Sequence, residues 1–524
     1  MSDGTPLPAG WTWASLGELL IGIEAGKSFK CQERPPHAYE VGVVKVSAVT
    51  WGEYQELESK TCTDTEMVNP ALFIQAGDLL FSRANTIELV GACVIARYVT
   101  LPLMLSDKIL RLKLARDSMK RWVLYLLRSD QGRRQIEALS SGNQESMRNI
   151  GQERIAQIRV PLPPFAEQTR IVEKLEELLS DLDAGVAELK AAQKKLALYR
   201  QSLLKAAVEG ALSADWRARR AARGESLETG ADLLARILTE RRARWEARQL
   251  AKFKEQGKTP PKGWQTKYPE PMRPDTADLP VLPEGWVWAS VDQLSQFVRN
   301  GVSKTPNTVG LGFPVLRINA VRAMSVQFTE IKHIELSEAE AVDYAIENGD
   351  LLATRYNGSV DLLGVVGLVK TAPGTILHPD KLIRMRPVVS GSLGAWMELA
   401  ANTGASRSYI VSRVKTTAGQ TGISGEDLKK MPIPLPSLDE QEVATSSVAR
   451  DLSESMQRMG EIETALKQAA AQRKNLLKAA FSGQLVPQDP NDEPASALLA
   501  RIRAEREARS HGNLTRRTRK AIHA

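Results

Sequence analysis

The chain has 524 residues and a formal net charge of +8. At about 150 residues per domain, that length predicts three or four units. Its 43% hydrophobic and 25% charged residues exclude a disordered chain or a fibre, and no apolar run reaches the roughly 18 residues of a membrane-crossing helix.

The opening, Met-Ser-Asp-Gly-Thr-Pro-Leu-Pro-Ala-Gly-Trp11-Thr-Trp13, has no basic flank and no apolar core. No secretory signal is read, and a cytoplasmic protein is expected. Residues 1–164 read as a first mixed α/β domain. Short β-rich runs lie at 41–46, 78–82, 92–98 and 109–114, a short helix at 122–129, and a proline-rich strand at 158–164. Gly142 opens what reads as an irregular loop.

The pattern changes at residue 165. Ile171, Leu175, Leu178, Leu182, Gly185, Leu189, Ala192, Leu196, Tyr199, Leu203 and Ala206 follow a 4,3 spacing, the seam of a coiled coil. This first long helix spans 165–212 and ends near Gly210. Residues 213–281 hold an arginine-rich helix, 231–254, and a proline-rich linker, 257–281, which should be extended and exposed.

A second mixed α/β domain occupies 282–436, with a helix at 394–401 and a loop at Gly419. The second long helix, 437–484, carries Val448, Leu452, Ser455, Met459, Ile462, Leu466, Ala469, Arg473, Leu476 and Ala480 on its seam and ends near Gly483. Residues 485–524 are a C-terminal basic helix and tail. At about 43 residues, each long helix would extend about 65 Å. Neither seam can be buried by one helix. An antiparallel coiled coil within the chain is expected; pairing with a helix of another subunit is the alternative.

The second half repeats the first. Leu7-Pro-Ala-Gly-Trp-Thr-Trp returns as Leu282-Pro-Glu-Gly-Trp-Val-Trp, and Gly77-Asp-Leu-Leu-Phe-Ser-Arg as Gly349-Asp-Leu-Leu-Ala-Thr-Arg. Asp107-Lys-Ile-Leu-Arg returns as Asp380-Lys-Leu-Ile-Arg. Pro161-Leu-Pro-Pro-Phe-Ala-Glu-Gln returns as Pro434-Leu-Pro-Ser-Leu-Asp-Glu-Gln. Leu203-Leu-Lys-Ala-Ala returns as Leu476-Leu-Lys-Ala-Ala, and Leu234-Ala-Arg-Ile as Leu499-Ala-Arg-Ile. The ordered matches mark a tandem duplication of a mixed α/β domain plus a long α-helix. A unit of about 270 residues is too long for a solenoid repeat. Residues 25–75 and 300–345 diverge between the copies, which suggests one scaffold with two different faces.

Catalytic signatures are missing. Cys31, Cys62 and Cys93 form no C-x-x-C pair, and the five histidines form no H-x-x-x-H pair, so neither a disulfide framework nor a protein-built metal site is expected. Gly22-Ile-Glu-Ala-Gly26-Lys27-Ser28 falls one residue short of a phosphate loop. Pro163-Pro-Phe165 lacks the asparagine of an amino-methyltransferase loop, and no Gly-x-Ser-x-Gly elbow exists. No enzymatic activity is expected of this chain by itself.

In order and spacing, these motifs resemble the specificity subunits of type I restriction–modification systems across essentially the whole chain. The resemblance implies a non-catalytic subunit with two target-recognition domains, each reading half of a split, asymmetric sequence in double-stranded DNA. It implies spacer helices and, as partners, two modification (methyltransferase) subunits and restriction/translocase subunits. S-adenosylmethionine, ATP and Mg²⁺ would sit on those partners, with no cofactor on this chain. The alternatives are a coiled-coil protein-interaction adaptor or a self-contained DNA methyltransferase or nuclease fusion.

DNA recognition needs phosphate contacts for position and base-edge contacts for sequence. Residues repeated in both copies suit shared phosphate or shape contacts: Ser82, Arg83 and Asn85 with Thr354, Arg355 and Asn357, and Lys108 and Arg111 with Lys381 and Arg384. Arg83 and Arg355 could instead pair with Asp78 and Asp350, and the Lys108 and Lys381 motifs with Asp107 and Asp380. Base reading is expected in the divergent parts: Lys27, Lys30, Arg34 and Lys45 in the first copy, and Lys304, Arg317, Asn319 and Arg322 in the second. Asn143, Gln144 and Gln420 lie in polar loops suited to a groove. Trp11, Trp13, Trp286 and Trp288 fit core anchors better than stacking platforms.

Overall fold

The computed structural model describes residues 6–50, 52–144, 147–225, 228–307, 309–417 and 420–522; side chains at 143–144, 416–417, 420 and 509–522 are outside the description. Two compact units emerge: residues 1–191 with 462–524, and residues 192–461. Both cut across the long helices, so neither coincides with one copy of the repeat.

In the first unit, strand Thr12–Ser15 pairs antiparallel with Arg159–Leu162, Thr12 facing Leu162. An antiparallel sheet follows, ordered Leu20–Ala25, Ile109–Leu114, Leu79–Ser82, Cys93–Ile95. Leu79 and Phe81 pack against helix Lys120–Arg128 through Trp122, Val123 and Leu126. Leu80 points the other way, into a second core with Val44, Leu103 and Ile109. Strand side chains alternate faces, so a strand covered on both sides reads as the continuous apolar run Leu-Leu-Phe.

The second unit repeats this plan. Val287–Ser290 pairs with Pro432–Leu435, and the sheet order is Ser295–Asn300, Leu382–Pro387, Leu351–Thr354, Val366–Leu368. Leu351 and Ala353 share a core with Trp396, while Leu352 enters a second core. The Gly142 segment is a β-hairpin, Ser141–Gln144 with Met147–Asn149, rather than an irregular loop. Its counterpart, Lys415–Thr417 with Gln420–Gly422, is also a hairpin; Gly419 itself lies outside the described residues.

Trp11 and Trp286 are core anchors. Each donates its indole N–H to the glutamate of the Glu-Gln motif, Glu167 or Glu440, at 3.0 Å. Their rings stand edge-on to Trp122 and Trp396 at 5.7 and 5.5 Å. Trp13 and Trp288 are half-buried, with Arg159 over the Trp13 ring at 4.3 Å.

The long helices are Phe165–Val208 and Leu438–Phe481, 44 residues each. Within the first unit, Ile171 and Leu175 near the start of one share a core with Leu477, Ala480 and Phe481 at the end of the other. Asp183 pairs with Arg473 there. Within the second unit, Ala207 and Val208 share a core with Ala444 and Val448. Both unions run start against end, the antiparallel sense. Leu175 and Leu203 are buried; Leu178, Leu182, Leu189 and Leu196 are half-buried. Of the expected seam, Ala192 and Tyr199 are exposed, and Gln193 and Arg200 take the half-buried positions one residue later. On the second helix Val448 is buried, and Leu452, Met459, Ile462, Leu466 and Leu476 are half-buried.

The segment after each long helix packs on the recognition domain of the other copy. Helix Gly230–Glu255 places Leu233 and Ile237 beside Trp286 and Ala289, and the Gly230 amide donates to the Gly285 carbonyl at 2.7 Å. Helix Ala495–Ile522 places Leu498, Leu499 and Ile502 beside Trp11 and Ala14, and the Ala495 amide donates to the Gly10 carbonyl at 2.8 Å. The proline-rich linker is not simply extended and exposed: Tyr268 is buried, and Trp264 stacks on Trp245 at 5.7 Å.

Candidate nucleic-acid interface

In the first unit, three segments meet at one end of the central sheet. Ser82 closes its strand opposite Ile109. One step further, the Arg83 amide donates to the Lys108 carbonyl at 2.9 Å, and the Ile150 amide donates to the Arg83 carbonyl at 2.9 Å. The hairpin strand 147–149 pairs here, with Arg148 opposite Asn85 and Asn149 opposite Ala84. Segments far apart in the chain thus share one edge.

The second unit builds the same edge. Thr354 faces Leu382, the Arg355 amide donates to the Lys381 carbonyl at 2.9 Å, and the Ile423 amide donates to the Arg355 carbonyl at 3.0 Å. The Asn357 amide donates to the Thr421 carbonyl at 3.3 Å, and Tyr356 bridges to Gly422.

The cations at these edges are not neutralised. Asp78 and Asp350 are committed elsewhere, to Arg111 at 2.7 Å and to Arg386 at 2.7 Å. Among the described residues, Arg83, Lys108, Arg148, Arg355 and Lys381 form no ion pair. Arg83 Nε donates to Asn149 Oδ1 at 3.3 Å, Arg148 donates to the Gly142 carbonyl at 3.0 Å, and the Arg355 guanidinium lies 4.8 Å from the Tyr356 ring centroid. Held cations without carboxylates suit phosphate oxygens. Arginine and asparagine side chains on a hairpin suit base edges.

Other expected residues fall elsewhere. Ser82 and Thr354 are fully buried, and Thr354 Oγ1 donates to the Leu362 carbonyl at 2.5 Å. They face the core because the strand is covered on both faces. Arg111 and Arg384 are 5% and 4% exposed. Arg111 bonds Asp78, Glu24 and two backbone carbonyls; Arg384 bonds the Asp343 and Ala345 carbonyls. Both are interior fixtures rather than DNA contacts, and neither pairs with Asp107 or Asp380.

Arg34 is clamped by Glu40 at 2.6 Å, and the same pairing holds the Glu40 carboxyl down at a pKa of about 2. Lys45 lies 3.7 Å from Glu33. A carboxylate clamp recurs in the second copy, where Glu330 holds both Arg317 and Asn319. Lys304 bonds the Glu335 carbonyl and Arg322 the Val321 carbonyl. Lys27 and Lys30 are exposed. Asn85 and Asn357 cap local turns, accepting from the Thr86 and Ser359 amides. The side chains of Asn143, Gln144 and Gln420 lie outside the described residues. Arg148, Asn149 and Tyr356 belong to the edge and escaped the sequence reading, because the polar run around Gly142 gave no sign of a hairpin returning to Asn85.

The Gly22–Ser28 segment is no phosphate loop. Residues 20–25 form a strand, and Gly26 packs so closely on the Leu105 carbonyl that a β-carbon would clash. Among the described residues, no group of three or more His, Cys, Asp or Glu side chains could hold a metal.

Residues 10–191 match the family described as "Type I restriction modification DNA specificity domain". The chain is 31% identical over 400 residues to the type I restriction enzyme EcoKI specificity subunit of Escherichia coli K12, covering 74% of this chain and 72% of that one. It is 25% identical over 404 residues to the StySPI specificity subunit of Salmonella potsdam, covering 76% and 73%. A chain from a solved structure of a type I R-M system shares the fold at a TM-score of 0.58 and 17% identity, covering 91% of this chain and 99% of that one.

Proposed function

We propose a division of labour within this chain from the premise that it belongs to the type I restriction enzyme specificity subunits, the non-catalytic, DNA-specifying component of a restriction–modification system. Each recognition domain reads one half of a split target. Arg83 and Lys108, and Arg355 and Lys381, hold phosphates at the shared edge. The hairpins at 141–149 and 415–422 read bases beside them. The two long helices set the distance between half-sites and dock modification subunits, which supply S-adenosylmethionine and flip the target adenine; restriction subunits supply ATP-driven chemistry.

The observation that carries this reading is the edge built twice. The same amide-to-carbonyl bond joins Arg83 to Lys108 and Arg355 to Lys381, while the sequence around each edge diverges. One scaffold with two different surroundings is what an asymmetric, two-part target requires. The test is exchange of residues 20–155 for those of a relative with a different target, followed by methylation mapping with the modification subunits present. One half of the methylated sequence should change and the other persist. A change in both halves, or in neither, would defeat the assignment.

A further inference from the structure

The chain's net charge has an address. Residues 241–273 hold ten Lys or Arg against three Asp or Glu. That excess nearly equals the whole formal charge of +8. The stretch comprises the second half of helix Gly230–Glu255 and the strap that folds back on it.

The strap is held by aromatic packing. Trp264 stacks on Trp245 at 5.7 Å and meets Phe253 edge-on at 6.0 Å; Tyr268 meets Trp245 at 5.5 Å. Arg241 bonds the Tyr268 hydroxyl at 2.6 Å and the Pro269 carbonyl at 3.2 Å. The aromatic side chains thus pack on one another, Tyr268 buried and Trp245, Phe253 and Trp264 half-buried, while Leu250 stays exposed. Lys252, Lys254, Lys258, Lys262 and Lys267 are left exposed, and among the described residues none of them forms an ion pair.

The helix also has a direction. Arg241 Nε donates to the Ser295 carbonyl at 3.0 Å, at the start of the edge strand Ser295–Asn300. Seven residues on, about 10 Å along a helix, Arg248 feels the positive charge of Arg299, four residues along that strand, about 13 Å. The Arg241–Ser295 bond thus fixes the helix at the start of that strand, and Arg248 lies near enough to Arg299 for their charges to interact. The strand ends at Asn300, opposite Ile383, and Leu382 faces Thr354. That is the end of the sheet where Arg355 and Lys381 sit. Lys252 and Lys254 follow Arg248 in the last turn of the helix.

Arg248 lacks compensation. Burial, then the charges of Arg299, Arg241 and Arg244, hold its pKa below the usual arginine value. A helix C-terminus favours cations in its last turn, which accounts for Lys252 and Lys254 but not for Arg248 or the strap lysines.

We infer that the 241–273 helix and strap form a sequence-independent clamp for DNA phosphates, continuing the Arg355–Lys381 edge of the second recognition domain onto duplex outside the half-site it reads. A protein partner fits less well. Protein interfaces are depleted in lysine and enriched in aromatic side chains, whereas this surface shows five exposed lysines and turns its aromatics onto one another. Lysine on exposed backbone is the usual means of phosphate neutralisation.

This inference rests on the DNA-binding reading of the second domain, and the test separates the two. The full chain is titrated with a 40-base-pair duplex of arbitrary sequence across a salt series. It is compared with a triple variant, Arg248→Gln, Lys252→Gln and Lys254→Gln, and with a second variant, Lys258→Gln, Lys262→Gln and Lys267→Gln. Circular dichroism and the thermal midpoint report folding. Each variant should bind at least tenfold more weakly at low salt and lower the slope of log affinity against log salt by about 2.7, at about 0.9 for each of its three lost phosphate contacts. If the wild type binds duplex with a steep slope and both variants match it, the clamp is overturned and the domain reading stands. If the variants keep that slope but fail to assemble with modification subunits, the surface is a protein interface and the clamp is likewise overturned. If the wild type binds no duplex, the underlying reading fails with it.

Discussion

Trp286 donates its indole N–H to Glu440 Oε2 at 3.0 Å, and Glu440 Oε1 accepts from Ser213 Oγ and from Arg217. One buried carboxylate thus ties the opening turn of the second recognition domain, the segment that follows the first long helix and the start of the second. Glu167 takes the same bond from Trp11, with Arg170 close enough to act on it. Burial leads in pushing the Glu167 carboxyl above the usual range.

Removing Glu440 leaves the Trp286 N–H without its acceptor and Arg217 without its carboxylate, with only Ser213 Oγ and the Gly210 carbonyl still accepting from it. Glu440→Ala should cost about 3 kcal/mol, the scale of a broken buried ion pair. Glu440→Gln keeps the indole acceptor and should cost about 1 kcal/mol, the scale of a hydrogen bond. Urea denaturation followed by tryptophan fluorescence reads the difference. Equal midpoints for the two variants would contradict the role given to Arg217.

Arg83 and Arg111 make a sharper contrast. Both are arginines in repeated motifs, yet Arg111 lies within its strand, 5% exposed and paired, while Arg83 lies just past its strand and forms no ion pair among the described residues. Arg83→Gln with Lys108→Gln should leave the thermal midpoint within about 2 °C and flatten the salt dependence of DNA binding by about 2 in log–log slope. Arg111→Ala should instead destabilise the first unit by roughly 3 kcal/mol, because half-buried Asp78 and Glu24 both lose their buried cation. An unchanged slope for the Arg83 and Lys108 variant would remove that pair from the interface.

The repeat made the scaffold legible. Motifs that recur in order marked both long helices and several strand runs of the first copy from the chain alone; the strand pairings and the order of both sheets came only with the structure. Side-chain direction was less legible. Leu-Leu-Phe-Ser-Arg does not reveal that Ser82 faces the core while Arg83 leaves it, because a strand buried on both faces loses its alternation. Arg111 read as a phosphate contact or a partner of Asp107 because its actual partners, Glu24 on the neighbouring strand and Asp78 just before the other, lie far away in sequence. The seam slipped at Ala192 and Tyr199 for a related reason. Apolar residues one position early look like knobs, but the half-buried positions there belong to Gln193 and Arg200.

His378 supplies a pH signature for the second unit. It is buried, its Nδ1 bonds the Tyr344 carbonyl at 2.7 Å, and burial lowers its pKa to about 4. The unfolded chain takes up this proton near pH 6.5; the folded chain refuses it until about pH 4. The unfolded state therefore binds more protons between those values. The contribution of His378 is full above pH 6.5 and is lost as pH falls towards 4, by about 3 kcal/mol in all. His378→Gln should remove that slope between pH 7 and 5, read as urea midpoints at each pH. A slope equal to that of the wild type would show that other groups carry it.

The proposed spacing role of the long helices can be tested with one heptad. Seven residues lengthen a helix by about 10 Å, close to three base pairs at 3.4 Å each, and a heptad preserves the 4,3 repeat. Inserting one heptad after Ala191 and one before Ile462 keeps the two helices matched in length. Methylation mapping with modification subunits should then report the same two half-sites separated by about three more base pairs. A four-residue insertion in each helix should behave differently, because it breaks the heptad phase and turns one half-site against the other. An unchanged spacer in the heptad variant, with both half-sites still methylated, would mean that the helices do not set the distance.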